Sequence, residues 1–593
     1  MLTKCMIVGL IVGCFCSASF VRAAQKTKAP SYPIATDAYT TLDKTVGALP
    51  HGTNSLLPYQ VSEYATNHYG EWNPNLAGFP FVKPEMTVDT NWPTSTDPSL
   101  TVPSVPDPSA KTLLTFFTMS DVHICDKESP AQAIFYGYEL GPLANSSAYS
   151  PVILDTTHVL DAAVQTINAL HKESPFDFGI ALGDAINNNQ YNELRWYIDV
   201  LDGKKITPSS GAHKGARTID YQKPYQAAGL DKSIPWYQAI GNHDQFWMGS
   251  ALSDDNIHKI LVGSRILNLG MVPPGQPGAM DSRGFYTGIL DGTTKYGDVI
   301  DAGPVADFPK PPKIAADRKR HALTVSGWMA EFFKTTSNPV GHGFTKEMLQ
   351  DGFACYSFHP KTNMPIKVIV LDDTDKAGSA GIALDYQRYN WLVSELDAGE
   401  AAGELMIVCA HIPVRPYTQV PQTAGNPLAP FMTTTMSYAT ITEQTLLNKL
   451  WTYQNLIMWV SGHVHRNAIT PQPPQAPSPY VGDLTHGFWE VETPSLRDFP
   501  QEFRRFEICR NSDNTISIFA LDVDTAINPA LLSDGEPSPA WTSRSYAVAT
   551  QQIFDNHVQQ GPNVGATNGV YNAELVKHLS PAMQAKIALI PAP

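Results

Sequence analysis

With 593 residues, 43% of them hydrophobic and only 16% charged, the chain is too apolar for intrinsic disorder and long enough for roughly two to four average domains or one elaborated domain. Its 41 basic and 56 acidic residues give a formal charge of -15, and no run of Lys or Arg offers a phosphate-backbone track. That excludes a nucleic acid track, while a small anionic substrate stays open if metal ions supply local positive charge.

In chain order, residues 1–23 read as a signal peptide: a basic start at Lys4, a mostly apolar stretch to Phe20, and small residues around Ala23 at the cleavage offsets. The expectation is an exported protein, periplasmic or extracellular. The run Ile11-Val12-Gly13-Cys14 offers the alternative of a lipoprotein anchored at Cys14. No later stretch reaches the ~18 apolar residues a membrane span needs. Residues 24–110, rich in Pro, Ser, Thr and Asn, read as an irregular N-terminal arm.

Regular patterning begins at Lys111. Strands are predicted over 113–119 and 178–182, with helices over 154–171 and 191–201. Insertions near 202–233, 249–350 and 414–436 interrupt the rhythm. Between and after them come strands over 353–358, 366–371, 405–410, 456–460, 487–492, 504–509 and 516–521, the last two joined as a hairpin by Ser512-Asp513-Asn514. Helices are predicted over 384–396 and 441–450. The pattern is α/β, with one domain over 111–525 and a C-terminal extension over 526–593 that holds an amphipathic helix at 573–589. Cys409 reads as a buried strand residue, and a Cys355–Cys509 bridge is allowed in an exported protein.

Five of the apolar runs end on polar groups able to hold an ion. Residues 115–119 precede Ser120-Asp121-Val122-His123, and 178–182 precede Gly183-Asp184. Pro235 to Gly241 leads into Asn242-His243-Asp244, 405–410 into His411, and 456–460 into Gly462-His463-Val464-His465. Short aliphatic and aromatic runs of this kind suit buried strands, and open α/β sheets place ligand-binding groups at the carboxyl ends of their strands. The five ends are therefore expected to converge. In extended chain, Asp121 and His123 project to one side, as do His463 and His465, so each pair can close on a metal. Two carboxylates, one amide and four imidazoles, without a thiolate, suit Zn, Fe or Mn. Seven ligands exceed one ion but fit two that share a carboxylate. Such a centre, with a net charge of about +2, would bind phosphate and acidify a bridging water.

The order Asp-x-His, Gly-Asp, Gly-Asn-His-Asp, His, Gly-His-x-His resembles the calcineurin-like metallophosphoesterase superfamily, in its exported bacterial branch, over roughly 111–522. The stretch 382–396, with Gln387 and Trp391-Leu392, is similar to that family's helix between its later strands. The resemblance implies two mixed β-sheets packed as a sandwich flanked by helices, in a four-layer architecture. It implies two divalent or trivalent transition-metal ions (Fe, Mn or Zn), one held by Asp121, His123, Asp184 and His465, the other by Asp184, Asn242, His411 and His463, with Asp184 bridging. His243 would be the catalytic non-ligand histidine facing a small phosphate-ester substrate, and Asp244 would orient its ring. A bridging hydroxide would attack phosphorus in line while His243 assists the leaving group. The interval between Asp244 and His411 is long for the family. His123 disfavours the purple acid phosphatase pattern, and no second domain of the secreted 5′-nucleotidase type follows Asp522. Phosphomonoesterase or broad phosphoesterase activity is the first expectation. The alternatives are a phosphodiesterase and a non-catalytic metal-bound binding protein on the same fold; oligomeric state is open. Asn187 and Asn188 read as turn residues, with substrate contact as the alternative, and Arg415 and Arg466 as packing arginines. Cys125, His158, His171, His342 and His486 read as ordinary.

Overall fold

The structure, a computed structural model, describes residues 29–34, 38–87, 101–134, 148–217, 219–269, 284–376, 378–382, 384–414, 441–532, 535–558 and 572–590. The leader with Cys14, Arg415 and nearly all of the 414–436 insertion lie outside them. Among the described residues no helix is long and apolar enough to cross a membrane.

The principal elements are, in order, β1 (Val82–Pro84), β2 (Thr101–Pro103), β3 (Lys111–Met119), α1 (Thr156–Glu173), β4 (Phe178–Ala181), α2 (Tyr191–Leu201) and β5 (Trp236–Gln238). After the second insertion come β6 (Tyr356–Phe358), β7 (Ile366–Leu371), α3 (Tyr386–Ala402), β8 (Leu405–Ala410), α4 (Glu443–Leu450) and β9 (Leu456–Ser461). The chain closes with β10 (Ala468–Gln472), β11 (Phe488–Glu492), β12 (Glu502–Arg510), β13 (Ile516–Asp524), α5 (Pro539–Val558), β14 (Asn572–Lys577) and α6 (Pro581–Ala588).

These strands build two mixed sheets. The eight-stranded sheet runs β2-β1-β14-β13-β12-β3-β4-β5, with β3, β4 and β5 parallel. The six-stranded sheet runs β6-β7-β8-β9-β11-β10, with β7, β8, β9 and β11 parallel. Strand β8 shows why its sequence is an unbroken apolar run. Leu405, Ile407 and Cys409 enter the core shared by the two sheets, whereas Met406, Val408 and Ala410 face Leu392 and Leu396 of α3 and Leu446 and Leu447 of α4. Both faces are buried, as a helix-covered parallel strand requires. Each fully buried aliphatic side chain contributes about 1.5–3 kcal/mol. Between the sheets, Phe116 stacks on Phe178 at 4.8 Å and on Phe506 at 4.9 Å, and Phe178 meets Phe358 of the facing sheet edge-on at 5.4 Å. The architecture is thus two mixed sheets flanked by helices.

Several sequence expectations are corrected. Residues 573–589 are not one helix: Asn572–Lys577 form β14, antiparallel to β13 with Phe519 opposite Glu574, and only Pro581–Ala588 are helical. Ala573 and Leu575, two apart, both enter the core as one face of a strand, and Ser580-Pro581 opens a new helix by capping the Met583 amide. The helix α5 lacked a clear apolar stripe in sequence. It packs against the arm, where Trp541 meets Trp72 at a tilt, with ring centroids 4.1 Å apart. Cys355, just before β6, and Cys509, in β12 of the other sheet, are both free, so the allowed bridge does not form; Cys409 is buried.

Candidate metal centre

The parallel strands deliver their ends to one place. Register sets Met119 beside Ala181 and Ala181 beside Gln238 in the first sheet, and Cys409 beside Val460 in the second. The residues one or a few positions further on therefore meet at a common edge. The two sheets touch there: the His463 amide, after β9, donates to Asp121 Oδ2, after β3, at 2.8 Å, and His411 Nδ1, after β8, meets the Leu182 carbonyl, after β4, at 2.9 Å.

The i, i+2 pairs converge, but not through extended chain. Asp121 (φ 51°), His123 (47°), Asp184 (51°), His463 (68°) and His465 (58°) all sit in the left-handed region. Non-glycine residues held there cost on the order of 1–3 kcal/mol each, so the surrounding packing must enforce the conformation. Strand geometry ends before the ligands, and tight turns aim them. Gly462 permits the closest approach: a Cβ there would lie 1.8 Å from Ser120 Oγ and 2.5 Å from Asp121 Oδ2. Gly462→Ala is expected to destabilise the protein by about 1–3 kcal/mol through overpacking and to loosen metal binding. A wild-type denaturation midpoint for that variant would contradict the contact.

The ligand atoms fall into three groups, each with its atoms within 4.8 Å of one another: Asp121/His123/His465, His123/Asp184/His243 and Asp184/His411/His463. His465 Nε2 lies 3.1 Å from both Asp121 Oδ1 and His123 Nε2. Asp184 Oδ2 stands 3.6 Å from His123 Nε2 and 3.3 Å from His411 Nε2. His411 Nε2 is 2.9 Å from Asn242 Oδ1 and 3.3 Å from His463 Nδ1. Two donor atoms each about 2.1 Å from one ion sit roughly 3.0–3.4 Å apart, so these spacings fit metal ligation.

The tautomers sharpen that fit. His123 Nδ1 faces Asn187 Oδ1 at 3.1 Å, His465 Nδ1 faces Asp498 Oδ2 at 2.5 Å, and His411 Nδ1 faces the Leu182 carbonyl at 2.9 Å. Each Nδ1 is thus the N–H of its neutral ring, leaving Nε2 a bare acceptor. Three bare nitrogens and two carboxylate oxygens then face one another, and Asp121 Oδ1 accepts no hydrogen bond from a described residue. Acceptors so crowded are mutually repulsive unless a cation lies among them.

The same demand for positive charge governs protonation. Burial opposes protonation of His411 and His465, yet Asp184 beside the first and Asp121 beside the second push both up to about 10, so without an ion a second proton sits on each Nε2, and the neutral ring with a bare Nε2 is the form that binds the ion. Burial likewise opposes ionisation of Asp121 and Asp184, but the surrounding imidazoles hold both carboxyls below the usual range.

His243 joins the cluster with its amide on Asp184 Oδ1 at 2.8 Å. Burial lowers its pKa to about 3, so the ring is neutral. Asp244 does not orient that ring. Its carboxylate accepts from the Gly241 amide at 2.8 Å and the Ile186 amide at 3.3 Å, closing the loop, and His243 Nδ1 instead meets the Asn187 carbonyl at 2.7 Å. A carboxylate engaged by the Gly241 and Ile186 amides is not on the preceding ring, whose Nδ1 is already taken by a carbonyl. Asn187 is therefore more than a turn residue: it holds His123 with its side chain and His243 with its main chain.

Sequence reasoning missed Arg497 and Asp498. Their only signal was a Thr-Pro-Ser turn after a strand carrying no ligand of its own. Arg466 is a packing residue, held in two contacts of 2.9 and 2.8 Å to Glu492. Asn188 is buried against Glu193 and Gln132, and Cys125 against Gln132. His158 stacks on Tyr225 and His342 on Trp236, while His171 meets Ser233 and His486 the Trp451 carbonyl, all apart from the cluster.

No family model matches the chain. No curated protein matches it either. Among solved structures it is similar to a dimetal phosphatase from Danio rerio, at 11% identity over 70% of this chain and 100% of that one, TM-score 0.33. It is also similar to the sulfate thiohydrolase SoxB of Thermus thermophilus (11% identity, 77% of this chain and 62% of that one, TM-score 0.27). A third is the calcineurin-like phosphoesterase YfkN of Bacillus subtilis (10% identity, 75% and 99%, TM-score 0.25). At these scores the likenesses carry no weight, and function rests on the site.

Proposed function

We propose that this chain is a calcineurin-like metallophosphoesterase that hydrolyses small phosphate esters at a two-metal centre. The observation that carries the proposal is the position of Asp184 Oδ2 between His123 Nε2 and His411 Nε2, where one carboxylate oxygen faces both ligand groups. Asp121, His123, Asp184 and His465 would hold one ion; Asp184, Asn242, His411 and His463 would hold the other. When bound, two ions of Fe, Mn or Zn supply the positive charge that draws in a phosphoryl group and acidifies a water for attack on phosphorus.

The chain's own residues do the rest. Buried ligands exclude bulk water and fix the donors before substrate arrives, so no reorganisation is needed during the reaction. His243 presents Nε2 beside the cluster while the Asn187 carbonyl holds Nδ1. A phosphate ester's negative charge arriving there raises the proton affinity of that nitrogen. Nε2 would then take the proton given up by the attacking water and pass it to the leaving oxygen as the ester P–O bond breaks. Asp244 acts on this step through the loop's shape, as a positioning residue. The reading includes export to the periplasm or outside the cell, supported by the basic start and apolar run of residues 1–23.

Metal analysis together with p-nitrophenyl phosphate and bis-p-nitrophenyl phosphate hydrolysis tests the proposal. Two ions per chain and turnover of either ester are expected, the ratio of rates distinguishing monoesterase from diesterase. Two ions with no turnover on a broad ester panel would make the chain a metal-bound binding protein.

A further inference from the structure

Residues 495–498 follow β11 and are tied to the segment that carries Asp121 and His123. Ser495 Oγ donates to the Asp121 carbonyl at 2.8 Å, and the Leu496 amide donates to the Ser120 carbonyl at 3.2 Å. Within the turn, Ser495 Oγ accepts from the Arg497 amide at 2.9 Å and the Asp498 amide at 3.3 Å, which fixes where the next two side chains point. Both are buried.

We propose that this turn positions one of the two metal sites, that of Asp121, His123 and His465, with Asp498 and Arg497 as its working side chains. The inference rests on the two-metal reading above. Asp498 Oδ2 accepts from His465 Nδ1 at 2.5 Å, which selects the Nδ1–H tautomer, aims Nε2 at the ion and makes that nitrogen a stronger donor.

Arg497 works one step removed. Its Nη1 donates to Asn187 Oδ1 at 2.8 Å. A guanidinium only donates, so the amide of Asn187 must keep its oxygen on this side. That same oxygen faces His123 Nδ1 at 3.1 Å, forcing the proton onto Nδ1 and leaving Nε2 bare. The remaining end of the amide is occupied as well, donating to Gln132 Oε1 at 3.1 Å.

The second metal site is built differently. His411 Nδ1 is held by the main-chain carbonyl of Leu182, with no side chain between. The two ions are therefore expected to respond unequally to changes in the turn, which a merely structural role would not produce.

The test is chelator competition on the full chain loaded with Mn(II), read by bound metal per chain and by electron paramagnetic resonance. Asp498→Ala and Arg497→Met are expected to weaken one ion by about 10–100-fold while the other keeps its wild-type affinity, so the coupled-pair signal gives way to that of a single ion. Asp498→Asn, nearly isosteric and still able to accept through its amide oxygen, is expected to fall between. Arg497→Lys, which still donates to Asn187, is expected to recover most of the loss. If Arg497→Met does not fold, Asp498→Asn decides. Wild-type affinity for both ions in Asp498→Asn and Asp498→Ala, or parallel loss of both ions, overturns the proposal. A wild-type chain that never binds a pair overturns the two-metal reading instead.

Discussion

Asp184→Asn is expected to lower turnover by at least about 10³-fold, several kcal/mol of transition-state stabilisation at 1.36 kcal/mol per decade, and to reduce bound metal from two ions to at most one. The geometry leaves the amide no workable orientation. Asp184 uses both oxygens, Oδ1 accepting from the His243 amide at 2.8 Å and Oδ2 facing the bare nitrogens of His123 and His411. An asparagine has one acceptor end. With its oxygen toward the histidines, its NH2 confronts the His243 N–H; reversed, NH2 occupies the shared ligand position. Either way the site also loses one negative charge. Metal content by mass spectrometry and p-nitrophenyl phosphate turnover on the same preparation check this. Two tightly bound ions in the variant would remove Asp184 from the bridging role.

His243→Ala is expected to behave oppositely, keeping both ions while losing about 10²–10⁴-fold in kcat. The loss should depend on the leaving group. A p-nitrophenolate departs with little proton assistance, whereas an alkoxide needs it, so the variant should suffer more on an alkyl phosphate than on p-nitrophenyl phosphate. Unchanged kcat on both esters would dismiss His243 from the chemistry. Loss of an ion would instead make it a ligand, a role its grouping with His123 and Asp184 permits geometrically.

The fold and the cluster were legible for one reason. Strands such as Leu405–Ala410 and Leu456–Ser461 are buried on both faces, so each is a continuous apolar run whose end is unmistakable, and a polar residue placed there is visible at once. The backbone at those ends was not legible. Asp121 and His123 are two apart in sequence, but extended chain and a left-handed turn give the same spacing, and only coordinates tell them apart. Asp244 looked like the partner of the adjacent histidine, yet its carboxylate closes the loop on the Gly241 and Ile186 amides. Arg497 was invisible because its contact with Asn187 spans 310 positions, and Asp498 because the turn that aims it at His465, only 33 positions away, is anchored through Ser495 to Asp121, 374 positions distant. The strand β14 was missed for a related reason. Its place in the middle of a sheet depends on a partner, β13, and its own short alternation reads equally well as one face of a helix.

The central claim is that two cations share the Asp184 carboxylate. X-ray absorption at the metal edge of the loaded protein tests it most directly. A metal–metal vector at roughly 3.5–4 Å, with oxygen and nitrogen but no sulfur in the coordination sphere, is the expected result. An isolated ion, or two ions with no such vector, would contradict it.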